Sequence, residues 1–318
     1  MARQQMTAAS TPVCLAMDIG GTKVRIGLID RAGTLHVAAT QATDAKFGAE
    51  VVLASMFQGT DKLMAQAAIA GLSVAGIGIS SCGVIDPVTG SVVAAAPAIP
   101  GWEGVALGEI FRQKYALPIS VDNDANCALV GECWLGANEV SRHGIVLMLT
   151  LGTGLGGAMM VDGRLIAGHH HLTGHFGMAR VWDRVANKFV LAEWLVSGSG
   201  LRNIYVQHRD AVGTAIADGG AVMKLAAAGD KVANEALELW LDHLALQLHN
   251  FYWAIDPALV LIGGGVIHSK DIWWPRLIAK LSALNVSIPL LPATLGNDAG
   301  IFGAAKLMWD KSGLVAAA

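Results

Sequence analysis

A hairpin is predicted by the segment Val13-Cys-Leu-Ala-Met-Asp-Ile-Gly-Gly-Thr-Lys-Val-Arg-Ile-Gly-Leu-Ile-Asp30. Its apolar runs flank a Gly-Gly pair, which is typical of two strands joined by a tight turn. The pattern occurs a second time downstream. One shift along the chain places Asp18-Ile-Gly20 over Thr150-Leu-Gly152 and Asp30 over Asp162. The distance between the two hairpins is far longer than the roughly 20 to 50 residues of a solenoid repeat. We therefore expect two related domains that face one another.

Helical and strand patterns alternate around these hairpins. Val51 to Ala70 has helical spacing, and Ala75 to Ser80 has the pattern of a short buried strand. The run Pro118-Ile-Ser-Val-Asp-Asn-Asp124 predicts a strand that leads directly into a helix over Ala125 to Trp134, with Asp124 at the helix cap. The alternation indicates an α/β protein.

The duplication also suggests domain boundaries. A chain of 318 residues is long enough for two domains that each bury an apolar core. We expect an N-terminal lobe over residues 1–122 and a C-terminal lobe over residues 123–299. The last helix, residues 300–318, is expected to pack back on the first lobe.

Composition narrows the classes of function. Hydrophobic residues make up 53% of the chain and charged residues 15%, which suits a packed enzyme and not a disordered protein. The formal net charge of -3 offers no broad basic surface, so we expect no nucleic-acid partner. Glycine or polar residues break the most apolar stretches, so no membrane span is predicted. Met1 to Pro12 has no signal-peptide core, and we expect a cytoplasmic homodimer that binds small molecules.

Two glycine-rich turns occupy matching places in the two hairpins. Gly20-Gly21-Thr22-Lys23 and Gly152-Thr153-Gly154 can each point backbone N–H groups at a phosphate. Either turn alone is weak evidence for phosphate binding, because glycine pairs are common in plain β-turns. Neither matches the spacing of a P-loop or of a dinucleotide-binding fingerprint. Together, in a duplicated context, they favour a nucleotide held between two lobes.

At this point the chain resembles a known family, the ROK group of bacterial sugar kinases and related repressors, within the actin-like and hexokinase superfamily. The resemblance implies a two-domain actin-like, ribonuclease H-like α/β fold with the active site in the interdomain cleft. It also implies transfer of the γ-phosphoryl group of ATP to a sugar hydroxyl, usually at C6 of a hexose or an N-acylhexosamine. The matching segments are Met17 to Lys23, Gly101-Trp102, Val121 to Glu132, Leu149 to Gly157, Ala192-Glu193, Ser197-Gly198 and Leu261 to Gly265.

The resemblance assigns Asp124 as the catalytic carboxylate and Asn123 as a sugar ligand. A carboxylate at a helix N-terminus stays ionised and can accept a proton, although an ordinary helix cap is the alternative. Asp18 would hold Mg²⁺ directly or through water, or else stabilise its turn. The matching positions imply adenosine contacts by Gly263, Gly264 and Gly265, and sugar contacts by Gly83 and Glu193. The alternative for Gly263 to Gly265 is a tight turn without ligand, and the alternative for Glu193 is a solvated helix residue.

The chain departs from the family pattern after residue 173. The family carries Gly-Glu-x-Gly-His followed by a cysteine-rich zinc knot, whereas this chain reads Gly174-His-Phe-Gly-Met178 and has no cysteine after Cys133. We therefore expect the structural zinc site to be lost and Met178 to serve in packing. A metal gathered by His169, His170, His171 and His175 is the alternative to a solvated polar loop.

Several functions remain open at this level. His175 resembles the residue of some bacterial N-acetylmannosamine kinases, and Ala98 replaces a polar sugar contact, so N-acetylmannosamine is the favoured acceptor. A glucokinase or fructokinase of the same family is the first alternative. A sugar-sensing regulator is a second, but only about a dozen residues precede the first strand, so a DNA-binding domain is not expected. A non-catalytic sugar-binding protein is a third.

Overall fold

The computed structural model describes residues 10–95, 98–136, 143–183, 186–209 and 216–313. The chain divides into two compact units. Unit 1 comprises residues 1–135 and 298–318, and unit 2 comprises residues 136–297. The predicted last helix runs partly beyond the described residues, since residues 314–318 lie outside them.

Unit 1 is built around one sheet with helices on its faces. Its strands are β1 (Thr11–Ile19), β2 (Lys23–Asp30), β3 (Leu35–Ala42), β4 (Leu72–Ser81), β5 (Val84–Asp86), β6 (Ser91–Ala94) and β7 (Ile119–Asn123). Its α-helices are α1 (Ala49–Ile69), α2 (Leu107–Tyr115), α3 (Asp124–Leu135) and, from the end of the chain, α9 (Ala299–Lys311). Short 3-10 helices cover Ala45–Phe47 and Gly296–Asp298.

Unit 2 repeats this design with a larger set of helices. Its strands are β8 (Ile145–Leu151), β9 (Leu155–Val161), β10 (Arg164–Leu165), β11 (Arg180–Asp183), β12 (Lys188–Leu191), β13 (Leu259–Gly263) and β14 (Leu290–Pro292). Its α-helices are α4 (Glu193–Val196), α5 (Gly198–His208), α6 (Gly219–Ala227), α7 (Lys231–Ile255) and α8 (Lys270–Ala283). Short 3-10 helices cover Phe176–Met178 and Gly265–Ser269.

The two main sheets have the same topology. The order is β3-β2-β1-β4-β7 in unit 1 and β10-β9-β8-β13-β14 in unit 2. In each, the first three strands are antiparallel, and the last two lie parallel to the central strand. Strands β1 and β8 are the ones that the sequence repeat aligns. The predicted duplication of the hairpin is confirmed at the level of the sheets.

The core of each unit explains the alternating sequence pattern. Inward side chains of the first sheet, including Leu15, Met17 and Ile26, are fully buried beneath α1 and α2. A separate core on the sheet's other side joins β1 to α3 and α9. The unit 2 core gathers β8, β13 and the helices α5 to α8. Among the described residues, no helix is long and apolar enough to cross a membrane.

Helix α3 belongs to unit 1 because it packs closely on α9. A Cβ at Gly303 would lie 1.7 Å from the carbonyl oxygen of Cys127, and a Cβ at Gly131 would lie 2.4 Å from that of Ala299. Only glycine allows the two backbones to approach so closely. The compact units therefore divide after Leu135, whereas the division into lobes at residue 123 stays a prediction. Helix α9 packs on β1 and α3 of unit 1, and the packing of the whole segment 300–318 on the first lobe stays a prediction.

Candidate active site

The predicted catalytic carboxylate stands where β7 runs directly into α3. Asp124 is the first residue of the helix, its side chain is exposed, and its Oδ1 accepts a hydrogen bond from the Ala125 N–H at 2.8 Å. The helix N-terminus favours the ionised carboxylate. This arrangement leaves an anionic oxygen at the surface of unit 1, held by a rigid strand and helix.

The sequence predicted Asp124 as the cap of α3, whereas the structure shows that Asn123 caps this helix. Asn123 Oδ1 accepts hydrogen bonds from the N–H groups of Ala125 and Asn126, at 2.9 and 3.3 Å. These are donors that the first helical turn leaves without intrahelical partners, and an asparagine oxygen reaches them well. The Asn123 Nδ2 group donates to the carbonyl of Gly83 at 2.8 Å. Asn123 thus ties the start of α3 to the turn after β4.

Gly83 occupies a position that other residues would strain. Its φ is 99°, and a Cβ there would lie 2.7 Å from the Ala94 carbonyl oxygen. Nearby, the buried indole of Trp102 donates to Ser81 Oγ at 3.1 Å. The turn is therefore held from both sides, and this keeps the Gly83 carbonyl in place for Asn123.

Asp18 sits at the end of β1, beside two parallel strands. The register pairs Asp18 with Ser80 of β4, and Ser80 with Asp122 of β7. The Ser80 hydroxyl donates a hydrogen bond to Asp18 Oδ1. A Cβ at Gly300 would lie 2.5 Å from the Asp18 carboxyl carbon, so glycine is needed where α9 begins. Asp18 is thereby confined between the sheet edge and the start of a helix.

The environment of Asp18 disfavours its negative charge. Burial, together with the charge of Asp124, raises the pKa of Asp18 from 3.8 to about 7, although the hydrogen bond from Ser80 acts in the opposite direction. A bound cation would offset this penalty, and a carboxylate oxygen is a ligand that Mg²⁺ prefers. Asp18 therefore fits the role of a magnesium ligand. Among the described residues, no group of three or more His, Cys, Asp or Glu side chains is placed to hold a metal ion.

The first glycine turn is braced by Thr43. The Thr43 hydroxyl donates to the Gly20 carbonyl at 2.8 Å, and the Thr43 N–H donates to the Thr22 carbonyl at 3.0 Å. Gly20 N–H itself donates to the Lys23 carbonyl. Gly21, Thr22 and Lys23 are exposed, and nothing lies within 4 Å of a Cβ built at Gly21. The open turn has room for a phosphate.

The second glycine turn is held from two directions in unit 2. The Gly198 N–H, at the start of α5, donates to the Gly152 carbonyl at 2.8 Å. Gly264, which follows β13, has a φ of 84° and packs against the end of β8. A Cβ there would lie 2.5 Å from the Leu151 carbonyl oxygen. Gly152 and Thr153 meanwhile face outward, with nothing within 4 Å of a Cβ at Gly152. The structure thus brings the predicted Gly152–Gly154 and Gly263–Gly265 segments together.

Two predicted sugar ligands, Glu193 and His175, also lie in unit 2. A Cβ at Gly154 would lie 2.9 Å from Glu193 Oε2, which places this carboxylate against the glycine turn and not in open solvent. His175 precedes the 3-10 helix Phe176–Met178, and its Nδ1 is buried with no hydrogen-bond partner in the described part of the chain. An imidazole nitrogen in this state is available to a ligand hydroxyl.

The segment where the family resemblance led us to expect a zinc knot contains the paired strands β11 and β12. Trp182 and Phe189 pair across its strands with ring centroids 5.1 Å apart. Met178 is 60% exposed, so the expectation that it serves in packing is wrong. The short helix turns Gly177 inward against Leu155 and leaves the methionine outside. His169 and His170 are exposed, with rings in edge contact 4.5 Å apart.

Comparison with known proteins identifies the family. The sequence model of the ROK family matches residues 14–311. The chain belongs to the ROK family. A beta-glucoside kinase of Klebsiella pneumoniae is 32% identical to this ROK protein over 293 residues, which cover 91% of this chain and 93% of the relative.

Two solved structures extend the comparison of the ROK protein. A ROK family glucokinase from Streptomyces griseus in complex with glucose and AMPPNP has a TM-score of 0.75 at 27% identity, covering 93% of this chain and 98% of that one. The Lmo2764 protein, a candidate N-acetylmannosamine kinase from Listeria monocytogenes, has a TM-score of 0.79 at 25% identity, covering 95% and 99%. The ROK protein therefore has the two-domain actin-like fold and is an ATP-dependent sugar kinase.

The raised pKa of Asp18 predicts that the free energy of unfolding of the metal-free ROK kinase falls as pH rises. The folded state holds the Asp18 proton up to about pH 7, whereas the unfolded chain loses it near 3.8. The stabilisation that Asp18 contributes is thus fully present below 3.8 and is lost as pH rises through about 7. Asp18→Asn keeps an acceptor for Ser80 and removes the charge. We expect the variant to have a higher Tm than the parent at pH 8, with the difference shrinking toward pH 5, by differential scanning fluorimetry with EDTA.

A fully solvated carboxylate provides the control for this measurement. The Asp271 side chain is 96% exposed, so Asp271→Asn should change Tm equally at both pH values. A gain for Asp18→Asn that is the same at pH 5 and pH 8 would contradict the raised pKa.

Sequence reasoning missed several residues that support the ROK site. Ser80 lies at the end of a predicted strand, and adjacency to Asp18 at the sheet edge could have revealed it. Thr43 and Gly198 stand outside the glycine turns they brace, 23 and 46 positions after Gly20 and Gly152. Gly300 gives no local signal, because only the docking of α9 explains why it is glycine.

Proposed function

We propose that this ROK kinase transfers the γ-phosphoryl group of ATP to the C6 hydroxyl of a hexose or N-acylhexosamine, with N-acetylmannosamine as the favoured acceptor. The observation that carries the proposal is the exposed Asp124 carboxylate at the start of α3. Its backbone is fixed by the two hydrogen bonds to Asn123 Oδ1 and by the tie from Asn123 Nδ2 to Gly83. A carboxylate held in this way can orient a hydroxyl and accept its proton.

The other groups in unit 1 are proposed to neutralise the charge of the phosphates and to position them. Asp18 is proposed to hold Mg²⁺, directly or through water, and Mg²⁺ supplies neutralisation of the β- and γ-phosphate oxygens during transfer. The Gly20-Gly21-Thr22-Lys23 turn is proposed to offer the N–H groups of its exposed residues Gly21 and Thr22, and the Lys23 ammonium group, to the phosphates. Because the charge of Asp124 raises the pKa of Asp18, a cation at Asp18 would offset the repulsion between the two carboxylates.

The groups in unit 2 are proposed to bind the rest of the nucleotide. Gly152-Thr153-Gly154 offers a second set of N–H groups to phosphate, and Gly263-Gly264-Gly265 lets the adenosine end approach the backbone. The support is steric. A Cβ built at Gly152 or Gly265 meets nothing within 4 Å, and Thr153 is exposed, whereas Gly264 packs directly on the backbone at Leu151. Any side chain at Gly264 would displace the turn that follows β8.

Sugar contacts are proposed for Gly83, Asn123, Asp124, His175 and Glu193. The buried, unpartnered Nδ1 of His175 supports its part in this set, as far as the described residues extend. A histidine in place of the usual glutamate changes a pure acceptor into a group with one donor and one acceptor. Together with Ala98, which is small and exposed, this favours an acceptor that carries an N-acetyl group.

A cytoplasmic homodimer is part of the same proposal, and light scattering of the purified protein tests the dimer.

A panel of sugars tests the acceptor. N-acetylmannosamine, N-acetylglucosamine, glucose and fructose are each incubated with the protein, ATP and Mg²⁺, and ADP release is followed by a coupled assay. We expect the highest kcat/KM with N-acetylmannosamine, because the proposed His175 contact and the small Ala98 suit an N-acetyl group, and phosphorus NMR should place the phosphate at C6. A higher kcat/KM for glucose or fructose would overturn the acceptor, and phosphate at another carbon would overturn the regiochemistry. Sugar binding without turnover of any acceptor would favour the non-catalytic alternative.

A further inference from the structure

Two buried tryptophans lie behind the second glycine turn. Trp240 is in α7 and Trp273 is in α8, both side chains are fully buried, and their rings meet edge to face with centroids 5.7 Å apart. Buried indole N–H groups need acceptors. Both find them on backbone segments that contact the glycine turn, and neither residue belongs to a sequence motif of the family resemblance.

Trp240 holds the segment that begins α5. Its Nε1 donates to the carbonyls of Val196 and Ser197, at 2.8 and 3.0 Å. Ser197 is the N-cap of α5, where its Oγ accepts the Gly200 N–H at 3.0 Å. The next residue, Gly198, donates its N–H to the Gly152 carbonyl at 2.8 Å. The indole therefore fixes the peptide that precedes the hydrogen bond to the turn.

Trp273 holds the other segment that contacts the turn. Its Nε1 donates to the Val266 carbonyl at 3.2 Å, in the 3-10 helix that follows Gly264. The two segments also contact each other, because a Cβ at Gly198 would lie 3.3 Å from Val266 Cγ2. The pair of tryptophans thus spans both supports of the Gly152–Gly154 turn, one by way of Gly198 and the other by way of Gly264.

We infer that Trp240 and Trp273 are positioning residues for the nucleotide, which hold the two backbone supports of the Gly152–Gly154 turn through their indole N–H groups. The inference rests on the proposed role of that turn in phosphate binding. Neither indole touches the nucleotide. Their effect is to keep the turn, and with it the N–H groups proposed to bind phosphate, in one arrangement before ligand arrives, which lowers the ordering cost of binding.

Trp240→Phe tests this inference because it keeps an aromatic ring and removes the N–H donor together with part of the ring volume, which the Trp309→Phe control below also loses. The probe is Mg·AMPPNP, titrated into the full-length protein in an isothermal calorimeter, so the test does not depend on which sugar is phosphorylated. Loss of one hydrogen bond that orders the site should raise the Kd for Mg·AMPPNP about three- to tenfold. Trp273→Phe should raise it in the same direction. The Kd for the sugar that the panel identifies should stay within about twofold.

Trp309→Phe is the matched control. Trp309 is a buried tryptophan of α9 whose Nε1 makes no hydrogen bond with the residues that the structure describes. Its replacement should leave the Kd for Mg·AMPPNP unchanged, whatever it does to Tm. If Trp240→Phe and Trp273→Phe lower Tm as Trp309→Phe does but leave nucleotide affinity unchanged, the tryptophans are core residues and the inference is wrong.

A glycine variant separates failure of the inference from failure of the proposed function. A Cβ at Gly198 would lie 2.9 Å from the Gly152 carbonyl oxygen, so Gly198→Ala should push directly on the turn and weaken Mg·AMPPNP binding. If Gly198→Ala weakens binding and both tryptophan variants do not, the nucleotide site stands and the tryptophan inference falls. If Gly198→Ala also binds as tightly as the parent, the turn does not bind the nucleotide and both proposals fall.

Discussion

Asp124→Asn is expected to lower kcat by about 10² to 10⁴, the usual cost of losing a general base. Asparagine keeps the shape of the side chain and an oxygen that can accept the Ala125 N–H, which Asp124 Oδ1 accepts at 2.8 Å. The change therefore removes the proton acceptor with little change to the fold. Since the side chain is exposed and the cap of α3 is supplied by Asn123, Tm should change little. Steady-state kinetics with the best acceptor of the sugar panel provide the measurement.

Asp230→Asn controls for neutralising any carboxylate at a helix start. Asp230 caps α7, where its Oδ1 accepts the Ala233 N–H at 2.7 Å, and asparagine preserves this bond. We expect kcat close to that of the parent. If Asp124→Asn retained turnover within about threefold of the parent, Asp124 would not be the base.

Gly303→Ala is expected to give the largest loss of stability among single methyl additions in unit 1. A Cβ at Gly303 would lie 1.7 Å from the Cys127 carbonyl oxygen, a backbone atom of α3 that no side-chain rotation can move. Helices α3 and α9 would have to separate, at a cost of about 3 kcal/mol or more in the free energy of unfolding. The expected fall in Tm is roughly 6 to 12 °C. Activity of the folded fraction should also fall, because α3 carries Asp124.

Gly220→Ala tests whether any methyl group added to a helical glycine has this effect. Gly220 lies in α6, and the nearest atom to a Cβ there is the side-chain Oδ1 of Asp218 at 3.3 Å. Alanine is the better helix former, so the free energy of unfolding should change by no more than about 1 kcal/mol. Thermal unfolding monitored by circular dichroism compares the two variants. Equal Tm values for Gly303→Ala and the parent would contradict the close packing of α3 on α9.

Local patterns predicted the elements that hold the site. The alternation of apolar residues around Gly20-Gly21 specifies the hairpin β1-β2, and the repeat at Gly152 specifies β8-β9. The helix predicted over Val51 to Ala70 is α1, Ala49–Ile69, and the strand predicted over Ala75 to Ser80 lies within β4. These elements follow from side-chain periodicity and turn chemistry, which act over a few residues.

Other features of the site depend on contacts between distant segments. Asn123 was expected to bind sugar, and the fold also uses it to cap α3 and to hold Gly83, 40 positions earlier. The expected packing role of Met178 failed, because the turn of the 3-10 helix decides which of its side chains face the core. The raised pKa of Asp18 needs burial and the charge of Asp124, and neither is visible in the sequence around residue 18.

By itself the sequence determined the α/β class, the duplicated hairpin, the ROK resemblance and the position of Asp124 at a strand-to-helix junction, because each is carried by short motifs or by their order along the chain. The tertiary structure decided which groups hold those runs in place: Ser80 and Gly300 beside Asp18, Thr43 beneath the first glycine turn, and the Trp240–Trp273 pair behind the second. These supports come from strands and helices far apart in the chain. Their chemistry is ordinary, and only close packing of the folded chain brings their donors, acceptors and missing side chains to the site.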